Sequence, residues 1–143
     1  MFQWLLEKSL ASRLFVLVAA AVLLVEKIQL IRNPSYVPSC SINPVLSCGS
    51  VMTTPQAEVF GFPNPLVGVA GFAAVATVGL ALLAGASFAR WFVLVVQAGA
   101  TFGVVFVHWL IYQSLYEIGA LCPYCMVVWV VTMALLVVVT PIA

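Results

Sequence analysis

Charged side chains are scarce in this sequence: of 143 residues, five are Lys or Arg and four are Asp or Glu. A soluble domain carries roughly 25% charged residues, whereas here the charged share is 6% and the hydrophobic share is 65%. So few charges cannot cover a water-soluble globule, which excludes that class of protein. The net charge of +1 offers no basic surface, so no nucleic-acid partner is expected. The composition predicts an integral membrane protein surrounded by lipid.

Charge-free stretches divide the chain into segments of the ~20 residues that a membrane-spanning helix needs. Their apolar runs are continuous rather than alternating, which favours helices over barrel strands. The fold class predicted is an all-α four-transmembrane-helix bundle in which residues 1–143 form a single membrane domain. The four helices are expected at about residues 10–31, 65–84, 91–113 and 121–142.

The first span has a second interpretation, because Lys8 and Arg13 precede a short apolar run, as in a cleaved signal peptide. Glu26 and Lys27 close that run without a small-residue cleavage site, which favours a retained anchor. Both side chains are expected near the far interface, where long charged side chains reach water.

Small residues in the second and third spans are typical of closely packed membrane helices. Gly68 lies in the second span, and Gly99 and Gly103 form a G-x-x-x-G pair in the third. Glycine is also frequent in membrane helices in general, so any one of these glycines could be present without a role in packing.

Basic residues indicate the orientation. With four spans, Lys8, Arg13 and Arg90 lie on one side of the membrane, against Lys27 and Arg32 on the other. By the positive-inside rule both termini are cytoplasmic. The first connection is then extracytoplasmic.

That connection, about residues 33–64, contains five prolines and hydrophobic residues throughout. Unstructured connections of this length are uncommon, and disordered linkers lack such apolar content. We therefore predict an extracytoplasmic cap loop folded over the bundle. Thr54 before Pro55 predicts a helix start, with a hydroxyl at the N-cap and proline at the first helical position.

Four cysteines fall on one face of the predicted bundle. Cys40 and Cys48 lie in the cap loop, and Cys122 and Cys125 form a C-x-x-C motif where the fourth span begins. Cysteines three apart on a helix face the same way, and a helix N-terminus favours the thiolate that performs disulfide exchange.

Three explanations of these cysteines remain open. They could be static disulfides that staple the cap loop, since extracytoplasmic cysteines usually pair for stability. A four-cysteine zinc site prefers ~2–4 residues between paired ligands, and the spacing from Cys40 to Cys48 is wider, so no metal is expected. In the third explanation, the two pairs form a redox relay that passes electrons into the membrane.

The electron acceptor of such a relay would be a quinone, because the chain has no nucleotide, haem or flavin motif. Oxidation of a dithiol releases the two electrons and two protons that convert a quinone to a quinol. Asn64 and Trp129 could contact the ring and His108 could shuttle a proton, and each of the three has a structural alternative. Asn64 before Pro65 could be a helix N-cap, Trp129 could pack or join an aromatic belt, and His108 could bond a backbone carbonyl.

The ordered motifs resemble those of the vitamin K epoxide reductase family, and more specifically its bacterial homologues that support disulfide formation. The resemblance covers essentially the whole chain. It rests on Cys40 and Cys48, the Thr54 hydroxyl, the run Asn64-Pro65-Leu66-Val67-Gly68, the Cys122-x-x-Cys125 motif and Trp129. Quinone-linked proteins of the disulfide bond protein B type carry their C-x-x-C in the first outer loop, whereas here it comes last.

The resemblance implies a role for each cysteine. Cys40 and Cys48 would be a shuttle pair, with Cys40 meeting a partner protein, and Cys48 would exchange with Cys122. Cys125 would be the thiol beside the quinone ring.

It also implies that Asn64 and Trp129 hydrogen-bond the quinone, with Thr54 as a further contact. Two positions depart from the family pattern. Thr54 stands where serine is frequent, and Trp129 stands where the animal enzymes have tyrosine. An indole N–H donates a hydrogen bond but neither accepts one nor ionises.

The resemblance further implies a quinone of the menaquinone, ubiquinone or vitamin K type and a thioredoxin-fold (DsbA-like) extracytoplasmic partner. Many bacterial relatives append a thioredoxin-like domain, and this chain shows none, so the partner is expected to be a separate protein. The expected location is a bacterial cytoplasmic membrane, with the redox site on the extracytoplasmic face. The alternatives are a vitamin K epoxide reductase and a non-catalytic membrane protein with structural disulfides.

Overall fold

The computed structural model describes residues 2–141 and is almost entirely helical; no strand forms within that range. The α-helices are α1 (Phe2–Arg32), α2 (Cys48–Met52), α3 (Asn64–Leu83), α4 (Arg90–Tyr112) and α5 (Pro123–Val139). A 3-10 turn spans Pro55–Glu58, and a π-helical turn, Gln113–Ile118, continues α4.

Three helical stretches are long and apolar enough to cross a membrane: Leu14–Arg32, Asn64–Leu83 and Arg90–Ile118. The fourth apolar helix, α5, is shorter, with 17 residues. The second and third stretches begin within one residue of the predicted second and third spans, because a proline and a charged residue mark those amino ends.

The first and fourth helices differ from their predicted bounds. The first helix begins at Phe2 instead of residue 10, because polar residues end a membrane span without ending a helix. The fourth begins at Pro123 instead of residue 121 and ends at Val139. Leu121 pairs instead with the chain near Leu46, and the predicted end at Ile142 lies outside the described residues.

The third helix also differs from its prediction at residue 113. Its helical backbone continues as the π turn to Ile118 and ends at Gly119, which has a φ of +69°. Glycine adopts this left-handed conformation without the steric penalty of a side chain, and such residues commonly end helices.

Helix α1 is central: it packs against α3 and α5, and α5 packs against α4. Small residues lie at two of these contacts. A Cβ added at Gly68 would lie 3.5 Å from the Cβ of Ala20, and one at Gly103 would lie 3.4 Å from Cγ2 of Thr132. Among the residues that the structure describes, no atom lies within 4 Å of a Cβ added at Gly99. Only Gly103 of the G-x-x-x-G pair therefore brings α4 close to α5.

We expect Gly103→Leu to destabilise the protein by about 2 kcal/mol, the usual cost of forcing extra methylenes into a packed contact. Gly99→Leu is the matched control, because it makes the same chemical change in the same helix without a neighbour to displace. Both substitutions raise the helix propensity by the same amount. The difference between the two melting temperatures, measured by thermal unfolding in detergent, therefore reports the packing against Thr132. Equal melting temperatures would show that α4 and α5 do not depend on this contact.

The connection between α1 and α3, residues 33–63, is called the connecting segment below, and it contains α2 and the 3-10 turn. Thr54 occupies the N-cap position of that turn and Pro55 its first position, as predicted. The Thr54 hydroxyl makes no capping hydrogen bond and instead donates to the carbonyl of Val51 at 2.7 Å. Gln56 donates to the Gln113 side chain at 3.2 Å, which ties the connecting segment to the π turn.

The sequence predicts that Glu26 and Lys27 reach water at an interface. In the structure both side chains are buried, with 7% and 6% of their surface exposed. The connecting segment folds back over this end of α1 and supplies their partners. Lys27 forms an ion pair of 3.1 Å with Glu58, and Glu26 accepts a hydrogen bond from the Ser39 hydroxyl at 2.5 Å. Protein groups thus replace the water at Lys27 and at Oε1 of Glu26, while the buried Oε2 of Glu26 has no hydrogen-bond partner among the described residues.

Candidate redox site

Backbone hydrogen bonds place the two cysteine motifs side by side. Leu46 and Leu121 form an isolated parallel bridge. The N–H of Ser47 donates to the carbonyl of Leu121 at 2.9 Å, and the N–H of Leu121 donates to the carbonyl of Val45 at 2.7 Å. Cys48 follows Ser47 and Cys122 follows Leu121, so this bridge aligns the start of α2 with the start of α5.

Three of the four sulfur atoms form a compact group. Cys40 and Cys48 are joined by a disulfide bond, while Cys122 and Cys125 are free thiols. The Sγ atom of Cys122 lies 2.8 Å from that of Cys48. This separation is longer than the ~2.05 Å of a disulfide bond, but the two atoms are in direct contact. The arrangement is the one that thiol–disulfide exchange requires, with a thiol sulfur against a disulfide sulfur.

The grouped sulfurs of Cys40, Cys48 and Cys122 lie within 4.8 Å of one another. A zinc site needs deprotonated thiolates as ligands. The disulfide joins two of these sulfurs, so the observed pairing offers a site for exchange and no set of three thiolate ligands.

The sulfur group is buried, and Cys40 is its most exposed member. Cys40 is 5%, Cys48 0% and Cys122 1% exposed. Leu23 from α1 and Met52 from α2 complete the buried cluster, with partly buried residues packed against it: Val51, Tyr124 and Cys125. Exchange between Cys48 and Cys122 would therefore take place in an apolar environment.

Close packing holds the two arms of the disulfide together. The Ser41 hydroxyl accepts a hydrogen bond from the N–H of Gly49 at 3.3 Å. A Cβ at Gly49 would lie 3.3 Å from Cδ of Pro38, so glycine allows the arm carrying Cys48 to approach the arm carrying Cys40.

Cys122 is the N-cap residue of α5, and Pro123 follows at the first helical position. The neighbouring Cys125 thiol lowers the pKa of Cys122; burial opposes this effect, and the backbone N–H groups of Cys125 and Tyr124 support it. A lowered pKa increases the thiolate fraction, and the thiolate is the nucleophile in disulfide exchange. The C-x-x-C motif at the start of the helix therefore favours Cys122 as an exchanging sulfur.

The four residues suggested as quinone contacts are in different environments. Trp129 is 8% exposed and lies one helical turn after Cys125 on α5. Among the described residues, its indole N–H has no hydrogen-bond acceptor. Trp129 thus keeps a free donor in the buried part of the helix that carries the C-x-x-C motif.

Asn64 is not an N-cap, because α3 begins at Asn64 itself and Pro63 precedes it. Its side-chain amide donates to the carbonyl of Gln56 at 2.6 Å and accepts from the N–H of Val59 at 3.3 Å. Asn64 therefore fixes the end of the connecting segment to α3. One of its two N–H donors remains for another partner.

Thr54 and His108 are engaged with the backbone. The carbonyl that accepts from Thr54 belongs to Val51, which packs against the sulfur group. His108 is exposed, and its Nδ1 lies 2.8 Å from the carbonyl of Val104, as the structural alternative for this histidine predicted. His108 is outside the sulfur group.

An open groove of about 580 Å³ runs between α1 and α5. Met126, the residue after Cys125, lines one part of it. The other lining residues are also apolar: Ala11, Phe15, Val127, Val130 and Val131. This surface suits an apolar chain such as a lipid tail.

Sequence reasoning did not foresee the contacts that Glu26 and Lys27 make with the connecting segment. The position of both residues inside an apolar span was itself an indication, because ionisable residues there are costly and are commonly functional. The identity of their partners depends on how the connecting segment folds back, which no local pattern indicates.

A family model described as the vitamin K epoxide reductase family matches residues 9–140, nearly the whole chain. The chain belongs to the vitamin K epoxide reductase family. The resemblance drawn from the motifs is therefore confirmed. Membership in the vitamin K epoxide reductase family, together with the apolar helices, supports an integral membrane protein with an oxidoreductase function. The comparison with curated proteins returned no match.

Proposed function

We propose that this chain is a membrane thiol–disulfide oxidoreductase that oxidises an extracytoplasmic thioredoxin-fold protein and passes the electrons to a quinone. Its activity would support the formation of disulfide bonds in other proteins. The observation that carries the proposal is the 2.8 Å separation between the sulfurs of Cys48 and Cys122. This contact joins the two cysteine pairs, and a relay needs such a junction.

The proposed topology has four spans, with α5 as the fourth and the connecting segment as a cap on the extracytoplasmic face. At ~1.5 Å per residue, the 17 residues of α5 cover about 25 Å, close to the ~30 Å of a hydrocarbon core. The bridge between Leu46 and Leu121 supports this topology, because it holds the start of α5 against the connecting segment.

In the first half of the proposed reaction, a thiolate of the partner attacks Cys40 and displaces Cys48 as a thiolate, which takes up a proton. The second partner thiol then attacks its own sulfur in the mixed disulfide and releases Cys40. The partner leaves with a disulfide, and Cys40 and Cys48 keep its two electrons and two protons as thiols.

In the second half, Cys48 attacks Cys122 of a Cys122–Cys125 disulfide, so a Cys48–Cys122 bond forms and Cys125 leaves. Cys40 then attacks Cys48, and the Cys40–Cys48 disulfide forms as Cys122 is released. The cysteine pairing in the structure matches the end of this exchange, with an outer disulfide and an inner dithiol. The inner dithiol next gives two electrons and two protons to the quinone and becomes a disulfide again.

The proposed quinone contacts are Trp129 and Asn64, which offer N–H donors to the ring oxygens. Thr54 would support α2 through the hydrogen bond from its hydroxyl to the carbonyl of Val51. The open groove beside Met126 would receive the apolar tail. A quinone of the menaquinone, ubiquinone or vitamin K type fits these requirements.

A second candidate function is the reduction of vitamin K epoxide, which the family name favours. It would use the same inner dithiol, with two electrons going to the epoxide. Assays with a quinone and with the epoxide as alternative substrates distinguish the two reactions.

Thiol trapping of the Cys40→Ser variant tests the relay. With Cys40 absent, Cys48 has no outer partner. Once the quinone has oxidised the inner pair to a Cys122–Cys125 disulfide, we expect Cys48 to attack Cys122, so that a Cys48–Cys122 disulfide forms in most molecules and Cys125 leaves as a thiol. Blocking free thiols, digesting without reductant and identifying the linked peptides by mass spectrometry measures this bond.

The matched control is the Cys40→Ser/Cys122→Ser variant, which lacks the accepting sulfur and should leave Cys48 free for the blocking reagent. If Cys48 is free in Cys40→Ser as well, while Cys122 and Cys125 keep one unchanging state, the cysteines are static and the proposed relay is wrong.

A further inference from the structure

Two ionisable side chains are nine-tenths buried beside the sulfur group, and the proposed relay does not use them. Glu26 and Lys27 are adjacent on α1, within the candidate span Leu14–Arg32. Burying a charge is costly unless good partners replace the lost water. Their contacts therefore indicate what the two charges do.

Lys27 holds the helix that carries Cys48. Its ammonium group donates to the carbonyl of Met52 at 2.5 Å and forms the ion pair with Glu58. Met52 is the last residue of α2, and Cys48 is the first. Because α2 has only five residues, a contact at its last carbonyl limits the movement of Cys48 at its other end.

Glu26 holds the arm that carries Cys40. Its Oε1 atom accepts from the Ser39 hydroxyl at 2.5 Å and from the Ser39 N–H at 3.4 Å, and Ser39 directly precedes Cys40. Its other oxygen, Oε2, is buried and has no hydrogen-bond partner among the described residues. The carboxylate thus ties α1, through one of its two oxygens, to the residue directly before Cys40.

Leu23 completes this arrangement, because it lies three and four residues before Glu26 and Lys27 and so shares their face of α1. Leu23 packs directly into the cluster that contains Cys40, Cys48 and Cys122. One face of α1 therefore contacts the sulfur group and, through its two charges, both arms of the outer disulfide.

We propose that Glu26 and Lys27 are positioning residues that hold the arms of the Cys40–Cys48 pair so that the Cys48 sulfur stays against Cys122. This inference rests on the proposed function, because it assigns the two charges to the relay. They act through Ser39 and Met52, and the electrons pass through the sulfurs alone. Charged partners suit this role, since a hydrogen bond to a charge is directional and stronger than an apolar contact.

The test measures how well Cys48 and Cys122 are held together. In a Cys40→Ser/Cys125→Ser background only these two cysteines remain, and equilibration with glutathione buffers gives the equilibrium constant for their disulfide. We expect Lys27→Met and Glu26→Gln each to lower this constant by about tenfold, as the loss of a charged hydrogen bond predicts. Lys27→Arg keeps a charged donor and should restore most of the value.

Matched controls come from exposed charges on the same helix. Arg32→Met and Glu7→Gln make comparable changes in charge at positions that are exposed, and both should leave the constant unchanged. Thermal unfolding of every variant is recorded in parallel. If Lys27→Met does not fold, Lys27→Gln, which keeps an N–H donor without the charge, replaces it.

The inference is overturned if folded Lys27→Met and Glu26→Gln variants keep the wild-type constant, or if the two control variants lower it equally. Failure of the proposed function has a different signature. The unmodified chain would then fail to reduce a quinone with dithiothreitol, while the glutathione equilibrium would still respond to Glu26 and Lys27.

Discussion

Replacing Cys125 with alanine is expected to reduce dithiothreitol-driven quinone reduction to the rate seen without protein. Cys122 would keep its contact with Cys48 but would have no partner with which to form the inner disulfide. Two-electron transfer to the quinone requires that disulfide to form. The decrease in quinone absorbance under dithiothreitol measures the rate.

Cys125→Ser serves as a second variant, because a hydroxyl is close in size to a thiol but does not exchange with disulfides. Both variants should keep the Cys40–Cys48 disulfide, which a digest without reductant followed by mass spectrometry verifies. Quinone reduction at a wild-type rate in either variant would contradict the role of Cys125.

Replacing Cys40 with alanine is expected to separate two reactions that the unmodified chain performs together. Oxidation of a reduced thioredoxin-fold protein should fall to the background rate, because the partner would lose the sulfur that it attacks. Dithiothreitol-driven quinone reduction should be largely retained, since this small reductant can act on the inner pair, of which Cys125 is only partly buried. Parallel assays with the two reductants measure the separation.

The Cys125→Ala variant is the control for this experiment, because it should lose both reactions. If Cys40→Ala and Cys125→Ala behave alike with both reductants, the division between an outer pair that meets the partner and an inner pair that meets the quinone is wrong.

Much of the helical architecture could be predicted, because the physical requirements of a membrane span are local. Asn64–Leu83 and Arg90–Ile118 begin within a residue of the predicted second and third spans. The amino end of α1 was missed, since a charged residue stops a span from continuing in lipid but does not stop a helix. The π turn was missed because its sequence differs little from that of an ordinary last helical turn.

The candidate site was only partly predictable. The residue types and their order indicated the four cysteines, and the family resemblance implied exchange between Cys48 and Cys122. The contact itself depends on the bridge from Leu46 to Leu121, between residues 75 positions apart in the chain. Asn64 before Pro65 suggested a helix N-cap, but α3 begins at Asn64 itself. Its side chain instead makes hydrogen bonds with the backbone of Gln56 and Val59 in the connecting segment.

Short stretches of sequence were enough to indicate a helical membrane protein with four cysteines in a specific order, because hydrophobicity, helix signals and cysteine spacing are local properties. The contacts between the sulfurs, and the groups that surround Glu26 and Lys27, became visible in the folded chain. Those outcomes depend on how the connecting segment folds against α1 and α5. Hydrogen bonds and ion pairs between distant residues form only when the whole chain has brought them together.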